Sequence, residues 1–228
     1  LGCHLLSAFG QTEHSPMISL NPVESTIEQI VETAGQPLPY TEVSIRLPES
    51  NEVLPVGEVG EICARSYAVM LGYNDNPDAT ESAIDKHGWL HTGDLGEMDS
   101  QGFIRVTGRV KDMIIRGGEN HFPAEIEAVI VTHPNILQVA VVGLPDDKWG
   151  ESAKAFVVLS EGSSLNSKDV ISYTKSKIAS YKCPKSVEFI EMLPRNPSGK
   201  VLRRELRAPY WAVSYTHLRA HETREDLG

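Results

Sequence analysis

The run Leu193-Pro194-Arg195-Asn196-Pro197-Ser198-Gly199-Lys200-Val201-Leu202-Arg203-Arg204 stiffens a loop with proline and glycine and presents one lysine from it. An ammonium group held in this way can offset negative charge on a carboxylate or a phosphate. The run is not a Walker A loop. That motif would need glycine at Pro194 and Ser or Thr at Val201. Near the other end, Ser7-Ala8-Phe9-Gly10-Gln11-Thr12-Glu13 sets an aromatic, a glycine, a hydroxyl and a carboxylate in one short stretch. An aromatic ring can stack on a base, and glycine admits close approach of a ligand to backbone. A hydroxyl can meet phosphate oxygen, and a carboxylate can hold Mg2+, which prefers oxygen ligands. Taken alone, the stretch is also what a plain loop looks like.

Two further segments carry groups of the same kind. Trp89-Leu90-His91-Thr92-Gly93-Asp94-Leu95 places an Asp at the expected end of a short strand, where it can accept both hydroxyls of a ribose. A turn Asp is the plainer reading of that segment by itself. Gly108-Arg109-Val110-Lys111-Asp112 offers a guanidinium that can fork onto hydroxyl or phosphate oxygens. The following Arg116-Gly117-Gly118-Glu119-Asn120 permits a tight turn and close approach of a ligand, or is a solvated surface turn. Gly60 to Arg65 and Met70 to Tyr73 read as mainly structural.

Behind these groups the pattern predicts two differently built segments. Up to about Arg109 the chain reads as strand-rich and heavily punctuated. Glu42 to Leu47 alternates with period two, Glu58 to Ala64 resumes a strand, and Gly102 to Gly108 is another. Asn76 to Glu81 reads as a short helix with proline in its first turn. From Lys111 the order becomes helix, strand, strand, helix, strand. The expected spans are Pro123 to His133, Ile136 to Gly143, Ala153 to Leu159, Ser167 to Ala179 from a Ser cap, and Ser186 to Met192. That order predicts a small α+β domain. The expected division is 1–109, the strand-rich end of a larger domain, then 110–211, the small α+β domain. The change near Arg109 to Lys111 has no Pro/Gly/Ser linker, which implies a tight joint.

The chain has 228 residues, 40% hydrophobic and 23% charged, ordinary values for a globular protein. Its formal charge of −10 sets a nucleic-acid binder aside. No apolar run approaches the roughly 20 residues of a membrane span. The start lacks a basic n-region and an initiator Met, so no signal peptide is expected, and it looks like a cut inside a larger protein. Cys3, Cys63 and Cys183 form no CxxC pair and are read as buried free thiols of a reducing compartment, the cytoplasm. Residues 212–228 are expected not to be natural protein, because VSYTHLRAHET resembles a translated sequencing adapter. His217 and His221 within it have helical metal-ligand spacing, but no Glu follows the first and no third ligand is in view, so a chance pair is expected.

Taken in order, the motifs resemble those of the adenylate-forming superfamily, which includes acyl- and aryl-CoA synthetases, firefly luciferase and peptide-synthetase adenylation domains. Phe9-Gly10-Gln11-Thr12-Glu13 is similar to the YGxTE motif, with Phe in place of Tyr. His91-Thr92-Gly93-Asp94 is similar to the TGD motif. Gly108-Arg109 with Glu125-Ile126-Glu127 resembles the hinge motif and the helix after it, and Pro197-Ser198-Gly199-Lys200 the terminal catalytic-lysine motif. The resemblance runs from about Ser7 to Arg207. It implies that a carboxylate attacks the α-phosphorus of ATP to give acyl-AMP and pyrophosphate, and that a thiol, usually CoA, then displaces AMP. It implies an ATP/AMP site of Ser7, Ala8, Phe9, Gly10, Thr12, Asp94, Arg109 and Lys200. Phe9 would stack on adenine, Thr12 would contact phosphate, and Asp94 and Arg109 would grip ribose. Glu13 would hold Mg2+ and Lys200 would be the catalytic lysine. Lys111 takes the hinge position and Gly117 and Gly118 the CoA-side loop. The family's phosphate loop and acyl pocket would precede Leu1, so the chain alone is expected not to complete adenylation. Lys111 to Glu127 and Tyr181 to Pro184 look more like acyl-CoA synthetases acting on a fatty or related acid. The alternatives are an adenylation domain that loads a carrier protein, and a non-catalytic interaction module.

Overall fold

The computed structural model describes residues 3–197 and 199–211, so the segment 212–228 and its His217–His221 pair lie outside the described residues. The chain divides into two compact units at the Lys111–Asp112 junction. In sequence, the change of pattern falls at Arg109 to Lys111.

The first unit is built from hairpins. Strands β1 (Ala8–Gly10), β2 (Met17–Leu20) and β3 (Gln36–Pro37) form a three-stranded antiparallel sheet, with helix α1 (Ile27–Glu32) between β2 and β3. Thr26 and Gln29 close a capping box at the start of α1, worth about 1 kcal/mol. Strands β4 (Glu42–Arg46), β5 (Gly60–Arg65), β6 (Leu90–Met98) and β7 (Ile104–Arg109) follow one another in an antiparallel meander. Helix α2 (Pro77–Ala83), capped by Asn76 with Pro77 in its first turn, lies between β5 and β6. The period-two pattern of β4 turns Ile45 inward, onto Ile62 of β5 and Ile104 of β7, and Phe9 packs against this cluster.

The second unit opens with a hairpin, β8 (Ile114–Arg116) and β9 (Glu119–His121), which the sequence pattern did not predict as strands. Helix α3 (Pro123–Ile130), β10 (Ile136–Asp146), β11 (Gly150–Leu159), helix α4 (Ser167–Lys175) and β12 (Ser186–Phe189) follow, then a last helix α5 over 203–211. The sheet runs β10-β11-β8-β9, and β12 joins β11 in parallel. This sheet is covered on both faces. Val141, Ala155 and Val157 meet Ile126 and Ile130 of α3 and Val170 of α4, while Ala140, Val142, Phe156 and Val158 meet Leu193 and Leu206. Strands buried on both faces read as continuous apolar runs, which is how β10 and β11 appear in sequence. Burying Ile126 and Ile130 contributes about 1.5–3 kcal/mol each.

Three expectations are corrected. The cap of α4 is Asn166, whose side chain accepts from the amides of Lys168 and Asp169, and Ser167 is the first helical residue. Asp94 does not end a strand but sits inside β6. Cys63 and Cys183 are buried, but Cys3 is exposed, because the stretch before β1 lacks strand partners among the described residues.

Candidate active site

The aim of Asp94 is set by an irregularity in the meander. Glu61 faces Leu95 and Cys63 faces His91, so Ile62 alone lies opposite Thr92, Gly93 and Asp94. The surplus residues bulge out of β6, and bulges of this kind re-aim side chains beside functional sites. Their amides lose ladder partners, and side chains replace them. The Gly93 amide donates to Glu61 Oε1 (2.9 Å), and the Asp94 amide to Thr92 Oγ1 (3.1 Å). Thr92 Oγ1 in turn donates to the Ile62 carbonyl (2.6 Å). Gly93 takes φ +70°, a conformation that costs glycine little. On the neighbouring strand, Arg109 pairs with Asp94 in register, and its Nε lies 3.0 Å from Asp94 Oδ1. The carboxylate is mostly buried and the guanidinium half exposed. The structure thus joins two of the site residues read from the sequence.

Glu61 was not read as functional, yet it supports the turn from below. Its second oxygen accepts from His91 Nδ1 at 2.8 Å. That hydrogen bond holds the His91 pKa above the ordinary imidazole value, against the opposing effect of burial. Cys63 Sγ lies 3.6 Å from the same nitrogen. Burial, reinforced by the Glu61 charge, pushes the Cys63 thiol up to about 12.

The Phe9–Glu13 stretch runs from β1 into a single 3-10 turn, Thr12–His14. Phe9 is partly buried, Ala8 and Thr12 are exposed, and the Ser7 hydroxyl donates to the Ile30 carbonyl at 2.6 Å. Gly10 has a reason internal to the fold. A Cβ there would stand 2.0 Å from the Pro16 carbonyl oxygen, across the hairpin. Fully buried His14 fixes the turn, with Nδ1 donating to Met17 O (3.0 Å) and Nε2 facing Ser66 Oγ (2.9 Å). Glu13 Oε1 accepts from the Tyr73 hydroxyl at 2.8 Å, and this bond raises the Tyr73 pKa. The Glu13 backbone carbonyl also accepts from the Met70 amide, at 2.8 Å. One partly exposed carboxylate, steadied by a phenol, suits an ion that keeps most of its own waters and phosphate ligands, as Mg2+ does.

In the second unit, Gly117 (φ +62°) and Gly118 (φ +86°) form the two-residue turn of the β8–β9 hairpin. Positive φ at both central positions is the type I′ requirement. Lys200 sits on a different hairpin. Arg195 bridges to Val201, and the Lys200 amide donates to Asn196 Oδ1 (2.8 Å). Arg195 donates to the Gly199 carbonyl (2.6 Å) and to Gln138 Oε1 on β10 (3.1 Å). Leu193 and Leu206, buried on either side in sequence, anchor the loop on the sheet. The backbone is held and the Lys200 side chain is exposed. Glu127, on the helix after the hinge motif, accepts from Arg203 and from the Val141 amide on the free edge of β10. Lys111 belongs to a 3-10 turn, Val110–Asp112, at the junction of the units.

Residues 1–74 match the family model described as AMP-binding enzyme, and residues 125–200 match its C-terminal domain. These matches define the class as an AMP-binding enzyme. The chain is 45% identical over 206 residues to a long-chain-fatty-acid–CoA ligase of Escherichia coli O157:H7, covering 90% of this chain and 36% of that one. It is 42% identical over 203 residues to the mitochondrial medium-chain acyl-CoA ligase ACSF2 of Bos taurus, covering 89% and 33%. Among solved structures, ATP-bound MatB from Rhodopseudomonas palustris is 34% identical and superposes with a TM-score of 0.85, covering 92% of this chain and 41% of that one. The chain belongs to the adenylate-forming superfamily of AMP-dependent synthetases and ligases, and its mixed α and β architecture is that of those enzymes. It spans about a third of the length of the curated relatives it matches. No helix among the described residues is long and apolar enough to cross a membrane.

Proposed function

We propose that these residues serve the ATP-dependent activation of a carboxylic acid, a fatty or related acyl acid, and its transfer to CoA. The carboxylate oxygen attacks the α-phosphorus of ATP, and pyrophosphate leaves. The CoA sulfur then attacks the acyl carbon, and AMP leaves. Asp94 and Arg109 grip the ribose, Phe9 stacks on adenine, and Thr12 meets phosphate. Ser7, Ala8 and Gly10 complete the nucleotide wall. Glu13 is the group that would hold Mg2+, which supplies charge neutralisation at the phosphates. Lys200 offsets the charge that develops between carboxylate and phosphate, the kind of fixed electrostatic stabilisation that is often the largest catalytic contribution. Gly117 and Gly118 serve the thiol step, and the chain pivots at Lys111 between the two.

The observation that carries this reading is the Lys200 hairpin, because its backbone hydrogen bonds are closed internally while its ammonium is offered to solvent. The relatives' names, acyl-CoA ligases for medium-chain and long-chain acids, support the substrate class. The test is Lys200→Ala in a full-length enzyme carrying these residues. Acyl-AMP formation should fall by orders of magnitude, as it does when a transition-state contact is lost. Thioester formation from supplied acyl-AMP should survive, and equal losses in the two steps would refute the assignment.

A further inference from the structure

Beneath the turn that aims Asp94, three kinds of metal-ligating side chain converge. Glu61 and Cys63 alternate onto one face of β5, and His91 stands directly opposite Cys63 on β6. Their ligand atoms all lie within 4.8 Å of one another, and among the described residues no other three metal-ligating side chains converge in this way. The Cys63 Sγ to His91 Nδ1 separation is 3.6 Å. A tetrahedral zinc site with ordinary bond lengths puts nitrogen and sulfur ligands about 3.5 Å apart and nitrogen and oxygen about 3.4 Å apart. The pair on opposite strands is therefore already at ligand spacing. Glu61 Oε2, at 2.8 Å from the same nitrogen, needs to withdraw by about half an ångström.

A second feature points the same way. The far nitrogen of His91, Nε2, lies 3.9 Å from Asp85 Oδ2. Asp85 is itself fixed, since its other oxygen accepts from the amides of His87 (2.8 Å) and Trp89 (2.9 Å), and Asn51 donates to Oδ2 (3.3 Å). Metal-bound histidines regularly give their other N–H to a carboxylate, which fixes the tautomer and strengthens the ligand. Arg46, 3.6 Å from Asp85, offsets charge on that outer carboxylate.

We infer that Glu61, Cys63 and His91 form a binding site for a borderline-soft divalent cation of the Zn2+ type, with Asp85 as the outer partner of His91. The mixed oxygen, nitrogen and sulfur set is unsuited to Mg2+, which takes oxygen alone. Binding forms a metal–sulfur bond and releases the thiol proton to water. The cation replaces the hydrogen bond that now links Glu61 to His91. Glu61 also holds the Gly93 amide, so its withdrawal loosens the bulge that carries Asp94. That last consequence rests on the proposed nucleotide role of Asp94, but the site itself does not.

The test uses the 228-residue chain and Co2+ as a coloured probe. About one equivalent should produce a thiolate-to-cobalt charge-transfer band, displaced by Zn2+, with about one proton released per metal. Cys63→Ser should abolish the band, and His91→Gln should weaken binding at least tenfold. The double variant Cys3→Ser, Cys183→Ser leaves Cys63 as the remaining thiol and should keep the band, so the outcome does not depend on whether Cys63→Ser folds. No band in the wild type, no band in that double variant, or a band that survives Cys63→Ser would each overturn the assignment.

Discussion

A carboxylate with the ribose role proposed for Asp94 has to stand clear of its strand without losing its own backbone bonds, and the bulge allows this with the side chains of Glu61 and Thr92. Arg109, itself half exposed, then neutralises this mostly buried carboxylate from the facing strand. If Asp94 reads the ribose, a full-length enzyme should discriminate strongly against 2′-deoxy-ATP, because a site built around a hydroxyl penalises its absence. Asp94→Ala should erase most of that discrimination while lowering kcat/KM for ATP. A variant that kept the whole wild-type penalty against the deoxy analogue would remove Asp94 from the ribose site. Asp94, Arg109 and Lys200 were legible in sequence because each sits in a short local motif. Their supports were not. Tyr73 reaches Glu13 across a separation of 60 residues, and Glu61 reaches Gly93 across 32. Both lie in segments read as mainly structural, and only register across the sheets brings them to the motifs.

Hairpins are the elements that carry most of the proposed chemistry, and their glycines divide into two kinds. Gly117 and Gly118 are needed for turn conformation, whereas Gly10 is needed for closeness. Gly118 has positive φ, but no atom stands within 4 Å of an added Cβ. Gly118→Ala should therefore cost about 1 kcal/mol, the strain of alanine in a left-handed turn. At Gly10 a Cβ would meet the Pro16 carbonyl oxygen at 2.0 Å, so β1 and β2 would have to move apart. Gly10→Ala should cost more, at or above the roughly 1–3 kcal/mol typical of overpacking. Urea unfolding of the two variants decides it, and equal or reversed costs would mean that the β1–β2 approach is not as tight as drawn. The glycine was read from sequence as an opening for a ligand, and the close approach of Pro16 gives it a second reason within the fold. Strands β10, β11 and β12 of the second unit were legible in place but not in length. β10 and β11 extend past their apolar runs because the hairpin between them, capped by Asp146, keeps pairing through polar residues. The β8–β9 hairpin escaped because three-residue strands give no period to read.

At the scale of the molecule, the proposed chemistry draws groups from both units, with Asp94 and Arg109 in the first and Lys200, Gly117 and Gly118 in the second. The two proposed half-reactions, one assigned to the lysine and the other to the glycine turn, call for those groups at different times. The place where the chain can change direction is narrow. Strand β7 ends at Arg109, a 3-10 turn spans Val110–Asp112, and β8 begins at Ile114. Hinges are often a few residues at element ends that absorb a backbone change, and Lys111 is the last residue of the first unit. Proline holds φ near −65°, a value that a 3-10 turn accommodates, and denies the larger excursions that a pivot needs. In a full-length enzyme, Lys111→Pro should leave acyl-AMP formation near the wild-type rate and slow thioester formation at least tenfold. Stopped-flow measurement of each half-reaction separates the two, with the wild-type melting temperature as the check that the junction still folds. Wild-type rates in both steps would place the pivot elsewhere, whereas loss of both steps with normal stability would make Lys111 a participant in chemistry and not a hinge.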